Sequence, residues 1–276
     1  VKLKNVIRHA VLIITSAVFL VPVYIALVNA FKPEKDILQN PLGMPIKDLT
    51  LENLISYGFS PYFNVLEGYW TTAVIISFSI FFILLFTSML AYIMVRSQKA
   101  RLSKFFYIML LGGLIIPPQA ILLSIVQILK EMGIMFTWQG LILRNIGWYI
   151  PFASFVYLGY IKTVSREMDD SAYIDGAGPA RIFFKIIYPL IKPATASVII
   201  FCFLWIWNDF LNPQIILGPG HGYTVTTGIY RAIGQYNTAW DQIFTLVLWA
   251  SIPVLIMYAV MQKKFISGLT AGSLKG

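Results

Sequence analysis

Six stretches of this chain stay apolar for about 20 residues, the length a helix needs to cross the hydrocarbon core of a bilayer. They are residues 6–30, 70–95, 105–129, 141–161, 194–211 and 243–261. In lipid every backbone N–H and C=O must be paired within its own segment, so runs of this kind fold as helices and not as open strands. Of the 276 residues, 58% are hydrophobic and 12% are charged; soluble domains carry about a quarter charged residues. The reading is an all-α membrane protein, a single transmembrane domain over 1–276 with six transmembrane helices.

The first run follows Lys2, Lys4 and Arg8 and ends in "VNA", a pattern that invites reading it as a secretory signal. Its apolar stretch exceeds the roughly 7–15 residues of a signal core, so it is expected to remain as a helix. The lone Cys202 lies in an apolar run and reads as inert packing. With the N-terminus placed in the cytoplasm, most of the 21 lysines and arginines fall on inner segments: the N-terminus, Arg96 to Lys104, Lys162 to Lys192, and Lys263 onward. Short cytoplasmic loops retain Lys and Arg, so a multi-pass protein with both termini cytoplasmic is expected. That topology accounts for the net charge of +9 without nucleic-acid binding.

Between the spans, the outer loop 31–69 is charged and carries Pro33, Pro41, Pro45 and Pro61, which argues for irregular structure. The outer connection 212–242 contains "LGPGHGY" and reads as a reaching loop with a tight turn. "LGGLIIPPQ" and Pro151 interrupt the helical ladder inside the spans, either as kinks lining a path or as packing kinks. The second, third and sixth spans carry no charged residue, and Arg144 and Asp209 lie near outer helix ends. Ion-coupled carriers place charged relays within their spans, so a self-powered transporter is disfavoured. The two histidines, His9 and His221, lie outside any nucleophile or zinc motif, which argues against an enzyme. "GLTAGSLKG" lacks the spacing of a phosphate-cradling loop, and "SAYIDG" lacks the first ligands of a calcium loop. No metal and no cofactor is expected in the chain.

The polar segment 163–189, "REMDDSAYIDGAGPARIFFKIIYP" at its centre, stands out from this background. Ser165 can cap a helix start that Glu167, Asp169 and Asp170 complement electrostatically. Gly176 can end that helix, and Gly178-Pro179 can begin another. A helix, sharp turn and second helix across the cytoplasmic mouth follow from this pattern. Two readings stand side by side: a solvated interfacial linker, and a rigid element whose acidic and apolar residues insert into a partner's groove.

This segment resembles the "EAA" loop of permease subunits in binding-protein-dependent ABC importers, whose pattern is E-A-A, three residues, G, nine residues, then I-x-L-P. Asp170-Ser171-Ala172 stands for E-A-A, Gly176 for the glycine, and Ile187-Tyr188-Pro189 for the end, with Asp for Glu, Ser for Ala and Tyr for Leu; "IDGA" is intact. "FLWIWNDFLNPQIIL" is similar to the W-N-x-F-x-x-P signature of carbohydrate permeases, and "GLTAGSLKG" to the C-terminal tail of their smaller six-helix subunit.

The resemblance implies a type I ABC importer permease bundle with a cytoplasmic coupling helix, in a bacterial or archaeal inner membrane. It implies as partners a second related permease in a heterodimer, two ATPase subunits that bind ATP and Mg, an extracytoplasmic solute-binding protein, membrane lipid and a carbohydrate, an oligosaccharide. Asp169, Asp170, Ser171, Ala172, Asp175, Gly176 and Ala177 would couple to the ATPase. Gly268, Leu269, Thr270, Ala271 and Gly272, in the tail 263–276, would reach the ATPase interface. Gly218, Pro219, Gly220, His221 and Tyr223 would meet the binding protein. Gln119, Asn145, Tyr149, Trp205, Trp207 and Asn208 are candidates to line the path, although Trp and Tyr also collect at membrane interfaces irrespective of any path. A permease for another solute class, such as amino acids or polyamines, and a self-sufficient channel or ion-coupled carrier are the alternatives.

Overall fold

The structure, a computed structural model, describes residues 2–45, 49–61, 63–234 and 239–273, with side chains for 4–45, 49–61, 63–234 and 239–262. In chain order it comprises α1 (Lys2–Asn29), α2 (Glu34–Gln39), α3 (Glu52–Gly58), β1 (Phe59–Ser60), β2 (Phe63–Asn64), α4 (Val65–Arg96), α5 (Ala100–Ile115), α6 (Leu122–Glu131) and α7 (Trp138–Ile161). There follow α8 (Glu167–Ile174), α9 (Pro179–Ile182), α10 (Tyr188–Leu190), α11 (Lys192–Asn208), α12 (Leu211–Ile216), α13 (Val225–Ile233) and α14 (Trp240–Ser273). Among the described residues four helices are long and apolar enough to cross a membrane, and two bent helix pairs bring the number to six if each pair is one span.

The chain divides into two compact units. The first joins Val1–Tyr69 to Val225–Leu255. The stretch after α1, expected to be irregular, folds here into α2, α3 and the antiparallel β1–β2 pair, in which Phe59 faces Asn64 and Ser60 faces Phe63. Apolar anchoring explains the difference: Phe63, Val65 and Ile37 are buried, and burial fixes a short polar segment that propensity alone leaves loose. The buried Asn53 donates through Nδ2 to Lys32 O at 2.9 Å, and Lys32 Nζ donates to Asn40 O at 2.9 Å. Burial pushes the Lys32 ammonium below its ordinary pKa, with Asp36 opposing the shift. Gly58 lies so close to Trp249 that an added Cβ would stand 2.6 Å from the indole Nε1. That nitrogen donates to Leu54 O at 3.1 Å.

Tyr57 supplies a pH-dependent test of this unit. Its hydroxyl donates to Asp241 Oδ2 at 3.1 Å, and burial, together with the negative charge of Asp241, pushes the phenol from 10.0 to about 12. The folded state therefore holds this proton to higher pH than the unfolded chain does. Stability from this group is complete below pH 10 and is lost as pH rises towards about 12. Unfolding followed across that window should show a decline that Tyr57→Phe flattens.

The second unit joins Trp70–Thr224 to Ile256–Gly276. Within it α5 and α11 both pack on α7. The close approach of α5 and α7 depends on Gly113, where a Cβ would meet Pro151 Cγ at 2.7 Å. The single span expected at 105–129 is two pieces, Ala100–Ile115 and Pro118–Glu131, bent by 101°. Ile116 and Pro117 are extended, with ψ of 125° and 134°. Two successive prolines remove two amide donors and force the preceding residue out of the helical region, which breaks the ladder at this point. The run into α11 is likewise bent, by 74°, after a π-helical turn at Phe183–Ile187. α11 stops at Asn208, short of the expected 211, because Asp209 turns to ψ 122°.

One further expectation is revised. The outer connection 212–242 is not one extended loop, since α12 and α13 occupy much of its described length. The tail 263–276 is helical as far as Ser273, in continuation of α14; the side chains of Gly268, Leu269, Thr270, Ala271 and Gly272 lie outside the described residues.

Candidate coupling helix and solute cavity

α8 begins with Glu167, Asp169 and Asp170 in its first turn, where carboxylates complement the exposed amides of a helix start. Ser165 Oγ accepts the Glu167 amide at 3.2 Å from one position ahead of the geometric cap, Arg166. Gly176 adopts φ +78° just past the helix end, and the Ala177 amide reaches back to Ala172 O at 2.9 Å, closing the carbonyl end. A residue with a Cβ pays strain in that conformation, which accounts for the glycine.

The seven residues expected to couple to an ATPase divide between two faces. Asp169 points inward and is 5% exposed. Its Oδ2 lies 2.9 Å from Arg96 Nη2, and its Oδ1 accepts the Tyr92 hydroxyl at 2.6 Å. Arg96 also donates to Val164 O at 3.0 Å, while Arg166 donates to Val95 O at 3.0 Å, so each guanidinium covers carbonyls of the other segment. Beside this pair Ala172 packs with Ile182, Phe183 and Ile187, and Ala177 packs against that cluster from its edge. Asp170, Ser171, Asp175 and Gly176 face outward, as do Tyr173 and the 87% exposed Ile174. The result is an acidic and apolar ridge held on the last turn of α4. Tyr92 and Arg96 escaped the sequence reading; the available signal was their four-residue spacing, which places both on one face of a helix end.

Elsewhere in the second unit, side chains of α5, the Pro118–Ile121 turn, α6, α7, α11 and α12 line a cavity of about 430 Å3. Gln119, Tyr149 and Trp205, three of the six expected path residues, line it. Tyr149 stacks on Trp205 with ring centroids 5.5 Å apart, and Phe152 meets Trp205 edge-on at 4.6 Å. The other three do not line it. Asn145 is buried behind the wall, accepting from Arg144 Nη1 at 3.2 Å and donating to Ser79 Oγ at 3.3 Å. Trp207 is buried and stacks on Phe203, and the Asn208 amide donates to Leu204 O at 2.8 Å. In their place the cavity recruits Arg144, Trp148, Asp209 and Asn212. Arg144 Nη1 lies 3.6 Å from Asp209 Oδ2, and its guanidinium carbon lies 5.5 Å from the centre of the Trp148 ring. Asn212 Nδ2 donates to both Asp209 carboxylate oxygens, at 3.0 and 2.9 Å.

In the 218–223 turn Gly218 has φ +65°, and a Cβ there would stand 2.9 Å from the Phe136 ring. His221 stacks on the same ring at 5.5 Å, leaving Pro219 and Gly220 exposed and Tyr223 half-buried. Among the described residues no group of three or more His, Cys, Asp or Glu side chains could hold a metal ion.

Residues 83–266 match the family described as the binding-protein-dependent transport system inner membrane component. The chain belongs to this family. This inner membrane component is a multi-pass transport permease, and several other permeases are similar to it along most of their length. The multiple sugar-binding transport system permease protein MsmG of Streptococcus mutans is 31% identical over 97% of this chain and 96% of its own. The arabinooligosaccharides transport system permease protein AraQ of Bacillus subtilis is 30% identical over 95% and 92%. The melibiose/raffinose/stachyose import permease protein MelC of the same organism is 31% identical over 76% of each. A chain from the crystal structure of a bacterial ABC transporter involved in the import of the acidic polysaccharide alginate superposes with a TM-score of 0.81. At 17% identity, over 95% of this chain and 96% of that one, it establishes the ABC importer permease fold for the component.

Proposed function

We propose that this inner membrane component is the membrane-spanning subunit of an ATP-driven carbohydrate importer, with an oligosaccharide as its cargo. It forms the path together with a second, related permease as a heterodimer. Two separate ATPase subunits carry the ATP and Mg and dock on the outward face of α8, where Asp170 supplies the charged contact, Ser171, Asp175 and Gly176 flank it, and Ile174 supplies the apolar one. Asp169, Ala172 and Ala177 hold that face in place. An extracytoplasmic binding protein delivers the sugar to the 218–223 turn, and both termini lie in the cytoplasm of a bacterial or archaeal cell. The tail 268–272 extends towards the ATPase interface.

The observation that carries this reading is the α8 ridge: exposed acid and aliphatic surface on a helix fixed by a buried ion pair and an apolar cluster. An element so placed passes a partner's movement to the bundle as a rigid body. The sugar class rests on the names of the relatives. Reconstitution into proteoliposomes tests both parts. ATP-dependent uptake of labelled raffinose, maltotriose or arabinotriose is expected only from the full assembly with its binding protein. Uptake by this chain alone, without an ATPase, would overturn the importer reading; a full assembly that imports none of these sugars would overturn the carbohydrate reading.

A further inference from the structure

The cavity between α5, α7 and α11 has a composition more specific than that of a generic path. One wall is aromatic, from Trp148, Tyr149, Phe152 and Trp205. The rim is polar, and among the described residues that line it the charged ones are a cation and an anion already in contact, Arg144 and Asp209. Its volume of about 430 Å3 falls in the range of small-molecule sites, about 300–1,000 Å3. Arg144 is 7% exposed, yet its ion pair is long at 3.6 Å and its Nε has no hydrogen-bond partner among the described residues. A buried guanidinium with donors to spare is a costly arrangement unless something else completes it.

We propose that this cavity is a subsite for one residue of an uncharged sugar and that the Arg144–Asp209 pair sets its preference for neutral over acidic sugars. The proposal rests on the carbohydrate reading above and names the substrate class within it. A pyranose has an apolar C–H face, which suits an aromatic wall, and an edge of hydroxyls, each both donor and acceptor. Such an edge can donate to Asp209 and accept from Arg144 or Asn212 without separating the pair. A uronate carboxylate can only accept. It competes with Asp209 for the same guanidinium, so that two carboxylates share Arg144 in a partly desolvated site.

The test uses the assembled importer in nanodiscs without its binding protein, so that the selectivity of that protein does not enter. Equilibrium binding of radiolabelled raffinose, maltotriose and trigalacturonate is measured. The wild type is expected to bind at least one neutral trisaccharide more tightly than trigalacturonate. Trp205→Ala should weaken neutral binding by roughly tenfold, the upper end for loss of an aromatic contact. Asp209→Asn frees Arg144 from its counter-ion and should shift the ratio of acidic to neutral binding by at least about tenfold. A wild type that binds none of the three saturably, or prefers trigalacturonate, overturns the proposal. So does an assembled Asp209→Asn importer whose ratio stays where it was. If Asp209→Asn does not assemble, Trp205→Ala decides: unaltered neutral affinity in that complex overturns the subsite. Import of a neutral sugar by the wild type with binding protein and ATP, alongside indifferent variants, leaves the carbohydrate reading standing and removes only this inference.

Discussion

An importer carrying Ile174→Asp together with Asp170→Lys is expected to lose its ATPase subunits, with binding at least about thirtyfold weaker and ATP-driven uptake falling with it. Both side chains are exposed on the outer face of α8, and Ile174 is 87% exposed, so neither change disturbs the packing beneath. An aliphatic anchor with a neighbouring charge is the kind of pair whose loss costs about 2 kcal/mol or more at an interface, which is the thirtyfold. Co-purification of tagged permease with the ATPases, and uptake in proteoliposomes, measure the two effects. Normal association and normal uptake by this variant would remove α8 as the docking element.

Arg96→Met is expected to act from underneath. It strands the Asp169 carboxylate, 8% exposed at the side chain, without its cation. Removing one partner of a buried pair costs about 3–5 kcal/mol, whereas replacing both by apolar groups is often nearly neutral. Thermal unfolding in detergent should therefore show a large loss for Arg96→Met and for Asp169→Leu alone, and a substantial recovery for the double variant. The recovered double variant should still dock its ATPases if the outward face of α8 is what they bind. Equal losses in single and double variants would show that the pair is not the local source of stability.

These two experiments separate what was legible in the chain from what was not. The helical character of the spans, the turn at Gly176 and the break at Pro117-Pro118 depend on nearest neighbours. Apolar length, a glycine at φ +78° and a missing amide act within a few residues of themselves. Asp170 could be separated from the rest by the resemblance, but Asp169 beside it looked like a second exposed acid. Its inward turn depends on Tyr92, 77 positions away, and on Arg96. The same limit explains the path residues. Gln119, Tyr149 and Trp205 reach the cavity, while Trp207, two positions from Trp205, is on another face of α11 and buried. Residue type alone does not distinguish them, because helix rotation does.

By itself, then, the sequence determined the class of solvent this protein lives in, the number of apolar runs, the polar segment that interrupts them and where its turn lies. Those follow from transfer free energies and backbone sterics, which are local and additive along a chain. Only the tertiary structure decided which carboxylate of α8 is buried on Arg96 and that Arg144 and Asp209 share one cavity. Ion pairs and cavities need groups brought within a few ångströms from distant positions, and that proximity exists only once the helices have packed.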